Sequence, residues 1–202
     1  MALRETLGRA PYAAVFTLLT LFGTWSCESR APAPPPTSQS QSGSSQVQRG
    51  AYLVAYGGCN DCHTPKTFTP RGPVPDSTRF LAGYPADAKL PPVTPGALGP
   101  DKWGALASGD LTAWAGPWGV SFTANLTPDE TGLGGWNEEL FIKTMRTGKH
   151  LGVGRDLLPP MPWNDIAALT DDDLKAVFAY LRTLKPVKNT VPPPVPPAGA
   201  AR

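Results

Sequence analysis

The chain has 202 residues, 17% of them charged, and a formal net charge of +2. A charge so close to zero does not suggest the basic surface by which proteins hold nucleic acid, and it leaves the charge of any protein partner undetermined. The length allows one domain with additional segments at both ends.

Residues 1–26 are predicted to be a secretory signal peptide. Arg4 and Arg9 supply its positive start, and residues 13–22 supply an apolar core. This core is shorter than the about 20 apolar residues that a membrane-spanning helix needs. We therefore expect the protein to be exported.

Cys27 directly follows this segment, and residues 24–27 resemble the lipobox of bacterial lipoproteins, in which the cysteine carries the lipid. The alternative is an ordinary cleavage near Cys27 that leaves a free thiol. We favour the lipid because an odd cysteine is otherwise a liability in an exported protein. Membrane contact is then expected through a lipid on Cys27.

Two segments that flank the domain are predicted to be disordered. Residues 27–45 form a tether rich in proline, serine and glutamine, and residues 186–202 form a tail rich in proline and alanine. Neither segment holds enough apolar side chains to offset the entropy cost of ordering it. One domain of residues 46–185 remains.

The first helix of this domain is predicted at residues 46–56. Val47, Ala51 and Val54 recur at helical spacing, and the glycine pair that begins at Gly57 ends the helix. The chain then enters its most informative stretch.

Residues 59–63 read Cys-Asn-Asp-Cys-His, which is the C-x-x-C-H pattern of a c-type haem attachment site. The thiols of Cys59 and Cys62 can each bond to one vinyl group of a haem, and His63 then supplies one axial bond to the iron. The alternatives are a redox pair, chance, or half of a zinc site completed by His150 or a carboxylate. We favour covalent haem attachment, which export also supports.

Residues 64–128 are predicted to be irregular. Proline recurs throughout this stretch, and because proline fixes φ and removes a backbone donor, long helices are improbable there. A loop of this length usually has a fold or a function of its own, and the sequence identifies neither. Aromatic residues here and in the first helix are expected to pack or to cover the haem: Tyr52, Tyr56, Trp103, Trp114, Trp118 and Phe122.

Two further helices are predicted at residues 136–148 and 170–184. Asn137 and Thr170 are typical residues for the starts of these helices, and Gly148 is typical for the end of the first of them. Each helix has one apolar face. The loop between them is rich in glycine and proline.

The second axial ligand of the iron is predicted to be Met161, which lies in this loop between two prolines. The restricted backbone on both sides limits where its sulfur can point. Met145 is expected on the buried face of a helix, where methionine commonly fills a core. His150 is the other side chain that could ligate, and it is kept as an alternative. His63 is expected to donate its second ring N–H to a backbone carbonyl.

A helix, the haem motif, a ligand-bearing loop and a final amphipathic helix follow one another as in class I cytochromes c, which this chain resembles. In that family the first and last helices cross. The resemblance implies an all-α, cytochrome c-like fold around one covalently bound haem, with a long irregular Pro/Gly-rich insertion. Here Gly50 or Ala51 would meet Phe178, Tyr180 or Leu181 at the crossing.

Four stretches narrow the resemblance to bacterial exported cytochromes c. They are similar to the cytochrome c subunits associated with membrane-bound alcohol and aldehyde dehydrogenases. Such subunits often carry several haems, whereas this chain has one C-x-x-C-H motif. The stretches read CNDCHTPK at 59–66, FLAGYPAD at 80–87, FTANLTPDETGLGG at 122–135 and LPPMPW at 158–163.

The expected function is one-electron transfer on the periplasmic side of a bacterial membrane. With His63 and Met161 on the two sides of the iron, no position stays open for a substrate, so the protein is not expected to be an enzyme. The expected partners are a redox donor and acceptor, such as a membrane dehydrogenase or a terminal oxidase. The alternatives are a haem-based gas sensor, a small peroxidase that uses His150 or Arg155, and an assembly factor.

Overall fold

The structure, a computed structural model, describes residues 43–197. The predicted signal peptide, Cys27, the tether up to residue 42 and the last residues, 198–202, lie outside the described residues. No helix between residues 43 and 197 is long and apolar enough to cross a membrane.

The described chain begins with two α-helices, continues with five short strands and ends with three α-helices. The helices are α1 (Gly43–Tyr56), α2 (Cys59–His63), α3 (Glu138–Thr147), α4 (Trp163–Ala167) and α5 (Asp171–Leu181). The strands are β1 (Lys66–Thr69), β2 (Gly72–Pro75), β3 (Leu106–Ala107), β4 (Ala113–Gly116) and β5 (Gly119–Phe122). The secondary structure is thus mixed, and the all-α cytochrome c-like fold stays a prediction. Helix α1 begins three residues earlier than the predicted Gln46, inside the predicted tether.

Helix α1 crosses α5 at Gly50, where the two backbones touch. A Cβ atom on Gly50 would lie 1.9 Å from the carbonyl oxygen of Ala176 and 2.8 Å from the Cβ of Tyr180. The expected crossing of the first and last helices is confirmed, with Gly50 against Tyr180. At one side of the crossing, Arg49 donates to Asp173 over 2.8 Å.

The core lies between α1, α3 and α5. Apolar side chains at helical spacing turn inward from each helix because their burial removes apolar surface from water. The predicted inner faces of α3 and α5 are confirmed, and the rings of Phe141 and Phe178 meet with centroids 5.3 Å apart. The buried cluster consists of Leu53, Val54, Leu81, Leu133, Phe141, Met145, Leu174, Val177, Phe178 and Leu181.

The predicted caps fix the ends of α3 and α5. The side chain of Asn137 accepts a hydrogen bond from the backbone N–H of Leu140. The side chain of Thr170 accepts one from the N–H of Asp173. Gly148 closes α3 in the left-handed conformation, with φ of 64°. These local signals are confirmed.

The segment predicted to be irregular contains two small antiparallel sheets. Strands β1 and β2 form a hairpin, and β3, β4 and β5 form a sheet in that order. Gly72 and Gly119 have φ of 110° and 94°, so they allow tight turns between strands too short for the sequence pattern to reveal.

Several aromatic side chains do not pack as expected. Trp114, Trp118 and Phe122 are half-buried. In contrast, Tyr52, Tyr56 and Trp103 are 58%, 81% and 68% exposed. The prediction that Tyr52 and Tyr56 pack in the interior is wrong, and their rings stack on each other at the surface of α1. Trp103 does not pack, and its alternative role of covering the haem stays a prediction.

Asp76 holds the turn that follows β2. It accepts hydrogen bonds from Thr78 and from Arg79, and these lower its pKa to about 2. Aspartate in an unfolded chain titrates near about 3.9, so this carboxylate stabilises the fold above pH 4 and loses that contribution as the pH falls through 2.

Asp76→Asn is therefore expected to lower the free energy of unfolding at pH 7 by about 1 kcal/mol. The difference from wild type should shrink as the pH is lowered from 4 to 2, which denaturant titrations at several pH values would measure. Asp87→Asn, at an exposed position, controls for the loss of one negative charge. An Asp76→Asn penalty that is the same at pH 2 and pH 7 would contradict this account.

Candidate functional site

The two thiols of the motif lie on the short helix α2. Gly58 precedes it in the left-handed conformation, with φ of 63°, and turns the chain from α1 into α2. Cys59 and Cys62 are half-buried and form no disulfide. Residues three apart on a helix lie on the same face, so both thiols can reach one flat group. Burial raises the pKa of both thiols, whereas redox C-x-x-C pairs lower it.

His63 ends α2 and is 8% exposed. Its Nδ1 donates to the backbone carbonyl of Ala124 over 2.7 Å. A carbonyl can only accept, so the ring hydrogen lies on Nδ1 and the lone pair lies on Nε2. No described residue forms a hydrogen bond with Nε2. Burial lowers the pKa of His63, which keeps the imidazole in the neutral form that binds metals.

The expectation of a backbone carbonyl acceptor is confirmed, but the acceptor does not lie near His63 in the sequence. It is Ala124, 61 residues along the chain from His63. No local pattern marks a carbonyl so far away in sequence. Its position depends on how two distant segments pair.

Residues 81–84 hold the segment around Ala124 in place. Tyr84 N–H donates to the Thr123 carbonyl over 3.0 Å. Gly83 N–H donates to the carbonyl of His63 itself over 2.7 Å. A Cβ on Gly83 would lie 2.5 Å from the Thr123 oxygen and 2.6 Å from the Ala124 oxygen, so only glycine fits between the two segments. This packing joins the FLAGYPAD stretch to the start of the FTANLTPDETGLGG stretch beside His63.

Met161 is half-buried against the core cluster, and its loop is fixed on both sides. Before it, the Ser121 hydroxyl donates to the Pro159 carbonyl over 2.6 Å. After it, the Trp163 indole covers Gly148, where a Cβ would lie 2.6 Å from the ring. The residue is thus placed by strand β5 and by the end of α3.

The other candidate ligands have different surroundings. Met145 is 8% exposed in the core cluster, as expected for a residue that fills the core. His150 lies in a 3₁₀ turn with its ring edge against Trp136, at a centroid distance of 5.7 Å. Burial and the nearby Arg155 lower the pKa of His150.

The donor set fits a covalently attached haem better than a zinc ion. Among residues 43–197, no three His, Cys, Asp or Glu side chains group together as metal ligands. A zinc site built on Cys59 and Cys62 therefore lacks its further ligands there. Paired thiols and an adjacent imidazole whose Nε2 is available are the groups that attach a c-type haem, and a thioether is one group that can supply the second axial bond.

No family model matches the chain, but curated relatives do. The chain is 30% identical to the fructose dehydrogenase cytochrome subunit of Gluconobacter japonicus over 181 residues, which are 89% of this chain and 29% of the relative. It is 38% identical over 73 residues to the cytochrome c subunit of the quinone alcohol dehydrogenase of Gluconobacter oxydans, covering 35% of this chain and 15% of the relative. The chain is related to the cytochrome c subunits of dehydrogenases.

A further relative is a subunit of the nicotinate dehydrogenase of Pseudomonas putida, which is 29% identical over 182 residues, 90% of this chain and 12% of that protein. The chain therefore spans less than a third of the length of these relatives. The relationship supports the predicted electron-transfer cytochrome with haem c as its cofactor.

Proposed function

We propose that this protein is a one-electron carrier with a single haem, attached through Cys59 and Cys62 and ligated by His63 and Met161. The observation that carries the proposal is the hydrogen bond from His63 Nδ1 to the Ala124 carbonyl, which leaves the lone pair on Nε2, where no donor of the described residues engages it. Metal-bound histidines are commonly oriented by such a bond. The helical core with α1 crossing α5 supports a cytochrome c-like fold around this site.

The residues of the site perform three tasks. Cys59 and Cys62 hold the group by covalent bonds. The Ala124 carbonyl fixes the ring of His63 and, by accepting from Nδ1, makes Nε2 a stronger donor. Ser121 and Trp163 confine the loop of Met161, which limits rearrangement when the charge at the site changes. When bound, the haem supplies the one-electron couple of its iron.

The setting of this electron transfer is also proposed. The signal peptide and the lipid on Cys27 would hold the protein at the periplasmic side of a bacterial membrane. A dehydrogenase is the proposed electron donor, because the relatives are named as subunits of dehydrogenases. The chain itself is proposed to carry electrons and to catalyse no reaction of its own.

The first test is the haem content of the protein, produced in a host that attaches haem to exported chains. Mass spectrometry of the wild type is expected to show one covalent haem. Cys59→Ser and Cys62→Ser should each leave a single thioether bond, and the double variant should retain no covalent haem. Cys27→Ser is the matched control and should leave the haem content unchanged. An unmodified wild type, or more than one haem per chain, would refute the proposal.

A further inference from the structure

The C-terminal tail was predicted to be disordered, but residues 186–197 follow a defined course along the domain. The most connected of them is Asn189. Its Nδ2 donates to the carbonyls of Ala82 and Tyr84 over 2.7 and 2.9 Å, and its Oδ1 accepts from Ala86 N–H over 2.9 Å. Its backbone N–H donates to the Thr131 hydroxyl over 2.9 Å. The side chain of Asn125, the neighbour of Ala124, donates to the Asn189 carbonyl over 3.4 Å, so one residue of the tail contacts both segments around the Ala124 carbonyl.

A second contact lies beside Ala124 itself. The side chain of Asn125, which is 3% exposed, donates to the Val187 carbonyl over 2.8 Å. Val187 N–H in turn donates to the Thr127 hydroxyl over 3.1 Å. The tail therefore holds the backbone on the C-terminal side of the carbonyl that orients His63.

A third contact lies at the other predicted ligand. Val195 exchanges two backbone hydrogen bonds with Val120, of 2.8 and 2.9 Å. The next residue of that strand is Ser121, whose hydroxyl donates to the Pro159 carbonyl. Pro159 precedes Met161 by two positions, so the end of the tail braces the strand that fixes the Met161 loop.

We infer that residues 187–195, here called the tail clamp, position both axial ligands of the haem. Asn189 acts on His63 through residues 81–84 and 123–127, and Val195 acts on Met161 through strand β5. This inference rests on the proposed function, because it takes His63 and Met161 as the ligands. Asn189 and Val195 are positioning residues, and neither touches the cofactor.

The two halves of the tail clamp can be separated by variants of the full chain. A chain that ends after Val191 loses the Val195 contact and keeps Asn189. Asn189→Ala removes the side-chain ties and keeps the Val195 contact. Thr190→Ala is the matched control, since Thr190 is exposed and lies between the two halves.

The chain that ends after Val191 is expected to keep its covalent haem, to lose intensity in the sulfur-to-iron band and, unlike the wild type, to bind carbon monoxide when reduced. Asn189→Ala is expected to raise the reduction potential, because a looser bond from His63 to Ala124 makes the imidazole a weaker donor to the oxidised iron. It should also speed hydrogen exchange at residues 123–127. Thr190→Ala should behave as the wild type in all of these measurements.

If Asn189→Ala loses thermal stability but keeps the wild-type reduction potential, Asn189 does not position His63. If the chain that ends after Val191 has the spectrum of the wild type, Val195 does not position Met161. Asn189→Leu keeps a neutral side chain of similar size and loses both the donor and the acceptor, so its potential should shift in the same direction as that of Asn189→Ala. A wild type without covalent haem would instead refute the proposed function. Even without haem, hydrogen exchange at residues 123–127 could be compared between the wild type and Asn189→Ala. That comparison would still test whether the tail holds these residues.

Discussion

Met161→Ala is expected to abolish the weak far-red sulfur-to-iron absorption band of the oxidised protein and to open the iron of the reduced protein to carbon monoxide. The reduction potential should fall, because methionine ligation raises it relative to ligands that favour the oxidised iron. The reason to expect so large an effect is the confinement of this loop between Ser121 and Trp163. Optical spectra and a redox titration of the purified variant would measure both changes.

Met145→Ala is the matched control, because it removes the other methionine of the domain. This side chain lies in the core, so its loss should cost about 2–5 kcal/mol of stability while the far-red band persists. His150→Ala should also leave the band unchanged. The opposite pattern, in which Met161→Ala keeps the band and Met145→Ala or His150→Ala loses the normal spectrum, would assign the ligand elsewhere.

Gly50→Ala is expected to cause the largest loss of stability of any single methyl group added to the helices. The new Cβ would lie 1.9 Å from the Ala176 carbonyl oxygen and 2.6 Å from its carbon. These atoms belong to the backbone of α5, which can yield only if the two helices move apart. Overpacking typically costs about 1–3 kcal/mol, and a clash with backbone should cost about 3 kcal/mol or more.

Gly43→Ala in the same helix is the control, since among the described residues no atom outside the adjoining backbone lies within 4 Å of the position of its Cβ. It should be neutral or stabilise the protein by about 0.5–1 kcal/mol, because alanine loses less backbone entropy than glycine in a helix. Denaturant unfolding would compare the two variants. Equal unfolding midpoints for both would show that α1 and α5 do not touch at Gly50.

Features that depend on neighbouring residues could be predicted from the sequence. Asn137 and Thr170 cap their helices as expected, because capping requires only a polar side chain next to free backbone donors. The apolar faces of α3 and α5 follow from helical spacing in the same way. The proposed attachment site rests on a motif of consecutive residues, 59–63, which needs no knowledge of the fold.

Features that depend on distant pairing could not be predicted. The acceptor for His63 is the backbone carbonyl of Ala124, and a backbone carbonyl has no sequence signature. Gly83 packs against this carbonyl only once the chain has folded and the loops that carry Gly83 and Ala124 lie side by side. The tail is rich in proline, so its composition indicates disorder. Its order comes from the side-chain amide of Asn189 and from backbone groups of Val187 and Val195, and composition carries no information about such contacts.

The exposure of Tyr52 and Tyr56 has a similar cause. Helical spacing identifies the inner face of α1, but it does not show how little of that helix α5 covers. Close contact at Gly50 leaves a narrow buried stripe of Leu53 and Val54, and the two tyrosines lie outside it. The prediction that Tyr52 and Tyr56 are buried rested on their aromatic character alone, whereas the packing of α1 against α5 leaves them exposed.

The most direct test of the central claim is the electronic spectrum of the purified wild type, oxidised and reduced, with carbon monoxide added to the reduced form. We expect a low-spin haem spectrum, a far-red sulfur-to-iron band in the oxidised protein and no response to carbon monoxide. A high-spin spectrum with rapid binding of carbon monoxide would contradict the electron-carrier account. It would indicate an open iron position, as in a gas sensor or a peroxidase.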